Sequence, residues 1–340
     1  MKTKWLNLFA LTAVAVAAAL VTVHNLNFHP AKELLNVSYA PTGELYHALN
    51  PQFTAAYGME TGTRLNIRQS HGGSSRQAKA VIDGLAADVV TLALPSDVDT
   101  LRKRGLIPEG WQERLPNHSQ PYTSTIVFVV RKGNPKGIKD WPDLIGSGVE
   151  VITPNPKTSG NGKLSLLAAW GSVLQHGGSE AQARDYVREL YQHVAILGAS
   201  ATDSSTTFAY DKQGDVHLTW ENEALQEVAE AKGELELVYP PVSIRAEPSV
   251  AWVDANVTRH GTEAYAKAYL QYLFTDAAQE TLAEQGYRPF NDAILKRHAD
   301  RLPRLELFPI TLLAKDWDDA QTKFFADNAL FDLIYKPKVN

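Results

Sequence analysis

Two hydrophobic periods alternate along the chain. Leu34–Ala40 (LLNVSYA) is a short β-rich run. Gly43–Gly62 then carries Leu45, Leu49, Phe53 and Tyr57 at helical spacing, with Pro51 inside. A proline there lacks an N–H and its ring crowds the preceding turn, which predicts a kink or an interruption. Thr63–Gln69 reads as the next strand, and Ser75–Leu85 as a helix. Ala87–Leu94 (ADVVTLAL) is a near-continuous apolar strand, the pattern of a parallel sheet covered on both faces. This β-α-β-α-β order predicts an α/β sheet with right-handed crossovers.

A second unit of the same kind opens at Tyr122–Pro135, a long β-branched run. Val149–Pro156 and Gly214–Trp220 read as strands. Lys163–Gly178 and Glu180–Val194 read as amphipathic helices, and Asn222–Gly233 as a helix. Leu235–Val242 and Arg245–Val257 are extended again, and the last hundred residues are mostly helical, including Glu263–Gly286. Tyr122–Val130 and Ala246–Val253 are both extended and apolar, as expected if the chain passes out to a second lobe and back. The chain has no internal repeat, low-complexity tract or long linker.

Composition narrows the class. The chain has 340 residues, 44% hydrophobic and 21% charged, with a formal charge of −5. That is enough for two domains of about 150 residues. The mild acidity and lack of a dense Lys/Arg run argue against a nucleic-acid surface. No cysteine is present, which excludes disulfides, thiolate metal sites and a cysteine lipid anchor. A basic start, Met1–Lys4, precedes the uncharged apolar stretch Trp5–Val23. It reads as a secretory signal or, since it approaches a bilayer span, a retained anchor. Both place the body after about Ala31 outside the cytoplasm.

Candidate chemistry gathers in four small polar turns that follow strands: Ser38–Thr42, His71–Ser74, Thr158–Gly162 and Gly198–Ser205. A helix N-terminus offers unpaired N–H donors and partial positive charge, and glycine lets a ligand approach the backbone. In an open α/β sheet, ligands sit beyond the carboxyl ends of the strands, so such turns can converge on one oxyanion. Each turn taken singly also reads as an ordinary N-cap. An enzymatic reading finds little. His71-Gly72-Gly73 has no accompanying G-x-S-x-G elbow, Gly160–Lys163 lacks the P-loop frame, and the ten histidines form no H-E-x-x-H pair. Glu221 and Glu223 are spaced so that they point apart on a helix.

Seven stretches together identify a resemblance. They are LLNVSYAPTGELY, IRQSHGGSSRQAKAVIDGLAADVVTLAL, PYTSTIVFVVRKGNPKGIKDW, VITPNPKTSGNGK, LAAWG, GDVHLTWENEAL and GYRP, in order from about Leu34 to about Lys336. The chain resembles the periplasmic sulfate-binding proteins of sulfate/thiosulfate ABC importers. The resemblance implies an α/β, two-lobed periplasmic-binding-protein fold of type II, each lobe a mainly parallel sheet flanked by helices, with two crossovers. One lobe would comprise 32–120 and 246–310 and the other 121–245. Residues 311–340 would form a helical tail packed on the lobes, and 1–31 the signal or anchor. It implies a non-enzymatic, monomeric periplasmic receptor, without cofactor or metal, that delivers sulfate or thiosulfate to a permease and ATPase. A degenerate, membrane-anchored member that binds another oxyanion or serves in sensing is the alternative.

Carried over by motif, the ligand donors would be the Ala40 backbone, the Ser74 hydroxyl and backbone, and Ser159 with the Gly160 and Asn161 backbone. The Ala201 backbone and the Trp220 indole complete the set. The family's first turn usually has Asp where this chain has Ala40 and Arg where it has Gly43. Its third turn usually has a second glycine at Asn161, and an Arg commonly stands at Thr202. Asn161 is suited to a turn backbone with positive φ.

Overall fold

The structure, a computed structural model, describes residues 31–335; the segment read as signal or anchor lies outside the described residues. In chain order the principal elements are β1 (Lys32–Tyr39), α1 (Gly43–Thr61), β2 (Leu65–Gly72), α2 (Ser74–Ile82), β3 (Val89–Leu92), α3 (Pro95–Lys103), β4 (Tyr122–Thr123), β5 (Ile126–Arg131), β6 (Val151–Pro154), α4 (Gly160–Gln175), α5 (Glu180–Gln192), β7 (Val194–Gly198), α6 (Ala201–Ser205), β8 (Val216–Trp220), α7 (Glu221–Glu230), β9 (Leu235–Val238), β10 (Val242–Ile244), β11 (Ser249–Trp252), β12 (Arg288–Pro289) and β13 (Glu306–Phe308).

Two sheets form two lobes. The first has the order β11-β3-β1-β2, with β1 parallel to both neighbours and β11 antiparallel at the edge. The second has the order β7-β6-β8-β5-β9, with β6 parallel to β7 and β8, and β5 antiparallel to β8 and β9. The antiparallel partners β5 and β11 follow the two connections between the lobes. Those connections lie side by side, bridged at Ser124 and Ala246, whose N–H groups each donate to the other's carbonyl (3.2 and 2.9 Å).

Burial explains the elements. Val89–Leu92 is buried at every position, as its apolar run predicts. α1 runs unbroken through Pro51, against the expected interruption. Its apolar face, Leu45, Tyr46, Leu49 and Phe53, is buried, and Phe53 packs edge-on against Tyr269 at 5.1 Å. Burying four such side chains yields about 6–12 kcal/mol, more than the ~3 kcal/mol that an interior proline removes. Glu263–Gly286 divides into two helices, Glu263–Tyr272 and Asp276–Glu284, because Thr275 caps the second by accepting from the Ala278 N–H. α4 is buried at every position from Gly160 to Ser172, all but its last three residues. Gly171 lets Phe308 of β13 approach so closely that an added Cβ would lie 2.2 Å from the ring. Trp170 packs edge-on against Phe324. These contacts fix the helix whose first turn faces the opposite lobe. Among the described residues no helix is long and apolar enough to cross a membrane.

Candidate anion-binding site between the lobes

Every turn singled out in the sequence follows the carboxyl end of a strand. β1 ends at Tyr39 before Ala40, and β2 at Gly72 before Ser74. β6 precedes Ser159, β7 precedes Ala201, and β8 ends at Trp220. The first two belong to one sheet and the last three to the other.

The turns meet. A Cβ built on Gly160 would lie 2.4 Å from the Ala93 Cβ and 3.5 Å from the Ser74 Cβ, and one built on Gly73 would lie 2.4 Å from the Thr158 carbonyl oxygen. Only glycine fits at these positions with the lobes closed. Tyr39 packs on Trp220 with ring centroids 5.3 Å apart, and α6, which starts at Ala201, packs on the Ala40–Thr42 turn. Ala40, Ser74, Ser159, Gly160, Asn161, Ala201 and Trp220 thus gather at one interlobe seam.

The local bonding separates free donors from committed ones. Ser159 occupies the N-cap position of α4, but its side chain makes no capping bond, and the residue is buried. An ordinary cap would spend that hydroxyl on the helix. Trp220, at the N-cap position of α7, is buried, and its indole is a donor only, so it cannot be spent on capping the helix N–H groups. Ser74 differs: its hydroxyl donates to Asp97 Oδ2 at 2.5 Å and accepts from the Ala93 N–H at 3.0 Å. Its one proton is used, so only its backbone N–H, the first of α2, is left to face a ligand. Asn161 is helical rather than left-handed, so it does not supply the positive φ that its residue type suits. Its side chain turns inward instead. Asn161 Oδ1 accepts from Ser165 Oγ at 2.9 Å, and Asn161 Nδ2 donates to Thr219 Oγ1 at 3.4 Å. Thr219 in turn donates to Glu223 Oε2 at 3.0 Å. Burial, reinforced by the neighbouring Glu227 charge, pushes the Glu223 carboxyl up to about 8 against the Thr219 bond, which lowers it. His71 Nδ1 shares a hydrogen bond with Ser38 Oγ (2.7 Å), and partial desolvation lowers its pKa.

Two ion pairs that the sequence reading missed clamp the seam. Lys163, on the buried first turns of α4, donates to Asp97 Oδ1 at 2.9 Å, and both side chains are nearly solvent-free. Ser75 Oγ donates to the same oxygen. Arg288 donates to both oxygens of Glu221 at 2.6 Å. Burial raises the Glu221 pKa, and the guanidinium pulls against it. Next to this pair, Tyr287 Oη accepts from Asn222 Nδ2 (3.0 Å) and donates to the Pro41 carbonyl (2.7 Å). The GYRP stretch therefore locks the lobes together. One sign of Lys163 was legible: a lone cation inside an apolar helical run needs a buried partner. Nothing in the spacing pointed to Asp97.

Lys163 and Arg288, the cations of these two clamps, are neutralised by carboxylates, and the ligand donors named above are uncharged N–H and O–H groups. Two lobes closing on donor-lined strand ends define an extracellular solute-binding protein. The profile of the bacterial extracellular solute-binding protein family matches residues 34–288, and the chain belongs to that family. It is 47% identical to the thiosulfate-binding protein of Pseudomonas aeruginosa, over 91% of this chain and 94% of that protein. It is 50% identical to the sulfate-binding protein of Escherichia coli, over 89% and 93%. In structure it is similar to the sulfate-binding protein of Mycobacterium tuberculosis, with a TM-score of 0.79 and 30% identity over 86% of this chain and 99% of that one.

Proposed function

We propose that this chain is a monomeric periplasmic receptor that captures sulfate or thiosulfate between its lobes and delivers it, without turnover, to an ABC permease and ATPase. The observation that carries the reading is the convergence of helix starts from both sheets, with the Ser159 hydroxyl unspent on a cap and the seam cations Lys163 and Arg288 each held by a carboxylate. The ligand donors are the backbone N–H groups of Ala40, Ser74, Gly160, Asn161 and Ala201, the Ser159 hydroxyl and the Trp220 indole. The lobes are 32–120 with 246–310, and 121–245, carrying the tail 311–340; the Ser124–Ala246 bridge supports crossovers at these points.

The chemistry follows from what such a site lacks. A fully ionised dianion needs only donors, and each charge-assisted bond is stronger than a neutral one. Hydrogen phosphate carries a proton that also needs an acceptor, and burying it unpaired costs about 1–3 kcal/mol or more. Hinge closure brings the donors of both lobes to the ligand. Calorimetric titration with sulfate, thiosulfate, phosphate and molybdate tests the reading. One sulfate or thiosulfate per chain is expected; silence with all four rejects it.

A further inference from the structure

The tail after β13 lies along one side of the seam, and both of its ends are fixed to one lobe. At its start, Phe308 sits against Gly171 of α4. At its finish, Phe331 of the helix Leu330–Ile334 packs edge-on against Tyr191 of α5 at 5.3 Å. Between them Phe324 meets Trp170, and Lys323 Nζ donates to Glu180 Oε1 at 2.7 Å. Lys157 Nζ donates to the Phe325 and Ala326 carbonyls at 3.0 Å and to Asp332 Oδ2 at 2.8 Å. Gly171, Tyr191, Trp170, Glu180 and Lys157 all belong to the lobe of β6. The middle of the tail reaches further. Trp317 Nε1 donates to Glu247 Oε2 at 2.8 Å, beside the second crossover. The turn of helix Trp317–Ala320 packs on α3 of the other lobe, where Asp318 pairs with Lys103. Gln321 and Phe325 then close a cavity of about 110 Å³ walled by Ala78, Asp97 and Thr100 from one lobe and Lys163 from the other. Phe325 is 4% exposed, and its ring centroid lies 5.8 Å from Lys163 Nζ. The segment Trp317–Phe325 thus runs from the crossover to the Lys163–Asp97 clamp and touches both lobes.

We propose that Trp317–Phe325 is a closure strap: it travels with the lobe of β6 and grips α3 of the other lobe only when the lobes close, so it strengthens ligand retention from outside the ligand site. The inference rests on the two-lobed receptor reading above. The strap is held at both ends by one lobe, so its contacts with the other are the ones that break when the lobes part. A contact made only in the closed form raises the closed population, and with it the apparent affinity, by its own factor. The exposed Lys103–Asp318 pair supplies a small part of that factor, and the cover that both lobes give the Phe325 ring supplies the rest.

The test uses the absence of native cysteine. In Lys103→Cys/Asp318→Cys the two new thiols are the only ones, and a short bis-maleimide joins them when strap and α3 meet. Calorimetry on the same variant reports whether sulfate binds. Crosslinking at least about threefold faster with saturating sulfate is expected, because its rate follows the closed population. Gly160→Ala obstructs closure without any ligand and should slow crosslinking of the sulfate-free chain. Separately, Asp318→Lys should weaken sulfate binding about two- to fivefold at low salt, and Lys103→Glu added to it should restore most of the loss. Sulfate heat with a crosslinking rate indifferent to both sulfate and Gly160→Ala overturns the strap and leaves the anion receptor standing. Silence with every oxyanion, with crosslinking still slowed by Gly160→Ala, overturns the receptor and leaves the strap as a closure device.

Discussion

Lys163→Met removes the charge that Asp97 faces across the seam and keeps the side-chain bulk. In the closed form Asp97 is then a buried carboxylate with no cation. Breaking one partner of a buried pair costs about 3–5 kcal/mol. Asp97 still accepts from Ser74 and Ser75, which recovers part of that, and about 2–3 kcal/mol remains. Asp97 lies on the lobe of β3 and Lys163 on the lobe of β6, so opening the lobes lets the carboxylate hydrate. The loss therefore falls mainly on closure. At about 1.4 kcal/mol per decade, sulfate should bind roughly 30- to 150-fold more weakly, while urea unfolding of the free protein changes less. Asp97→Asn added to Lys163→Met removes the stranded charge and should restore most of the affinity. Isothermal titration of the wild type and both variants measures this. A folded Lys163→Met that binds like the wild type, or a double variant as weak as the single, refutes the reasoning.

Three further outcomes follow from the same geometry. Gly160→Ala places a methyl 2.4 Å from Ala93 Cβ on the other lobe, so it should weaken anion binding by tenfold or more with little effect on unfolding; unchanged affinity means the lobes do not close as described. Trp220→Phe keeps the ring against Tyr39 and deletes the indole N–H; loss of one charge-assisted bond of about 1.5–3 kcal/mol should lower affinity about 10- to 150-fold by the same titration. Glu223 has its pKa raised from 4.5 to about 8, so the folded state holds the proton more tightly than the unfolded chain, and the associated stability is present below pH 4.5 and lost as pH rises through 8. Glu223→Gln should then melt like the wild type near pH 4.5 and higher than it at pH 9; equal melting temperatures at both pH values would count against the buried carboxyl.

The sequence made the alternation of strands and helices legible because both sheets carry buried, largely apolar strands, Val89–Leu92 in one and Ile126–Arg131 in the other. The turns were legible for a local reason: glycine and small hydroxyls at Gly73–Ser75 and Ser159–Gly162 mark close backbone approach. What local pattern does not encode stayed hidden. α1 crosses Pro51 because its apolar face joins the main core, with Phe53 against Tyr269, more than 200 positions away. The Ser74 hydroxyl looked like a ligand donor until Asp97, on a different helix, took its proton. Asn161 looked like a turn residue, yet its amide is held by Ser165 and Thr219 inside its own lobe. The clamps Lys163–Asp97 and Arg288–Glu221 join segments 66 and 67 positions apart, which only the tertiary fold brings together.

In the proposed receptor an unprotonated dianion leaves water for uncharged hydrogens supplied by both halves of the molecule. The most direct measurement is the ratio of sulfate to hydrogen phosphate affinity at pH 7, by competition in one calorimetric cell. A ratio of at least about tenfold in favour of sulfate is expected, the equivalent of one stranded phosphate proton. Equal affinities would mean that an acceptor or an unpaired cation faces the ligand, and would contradict it.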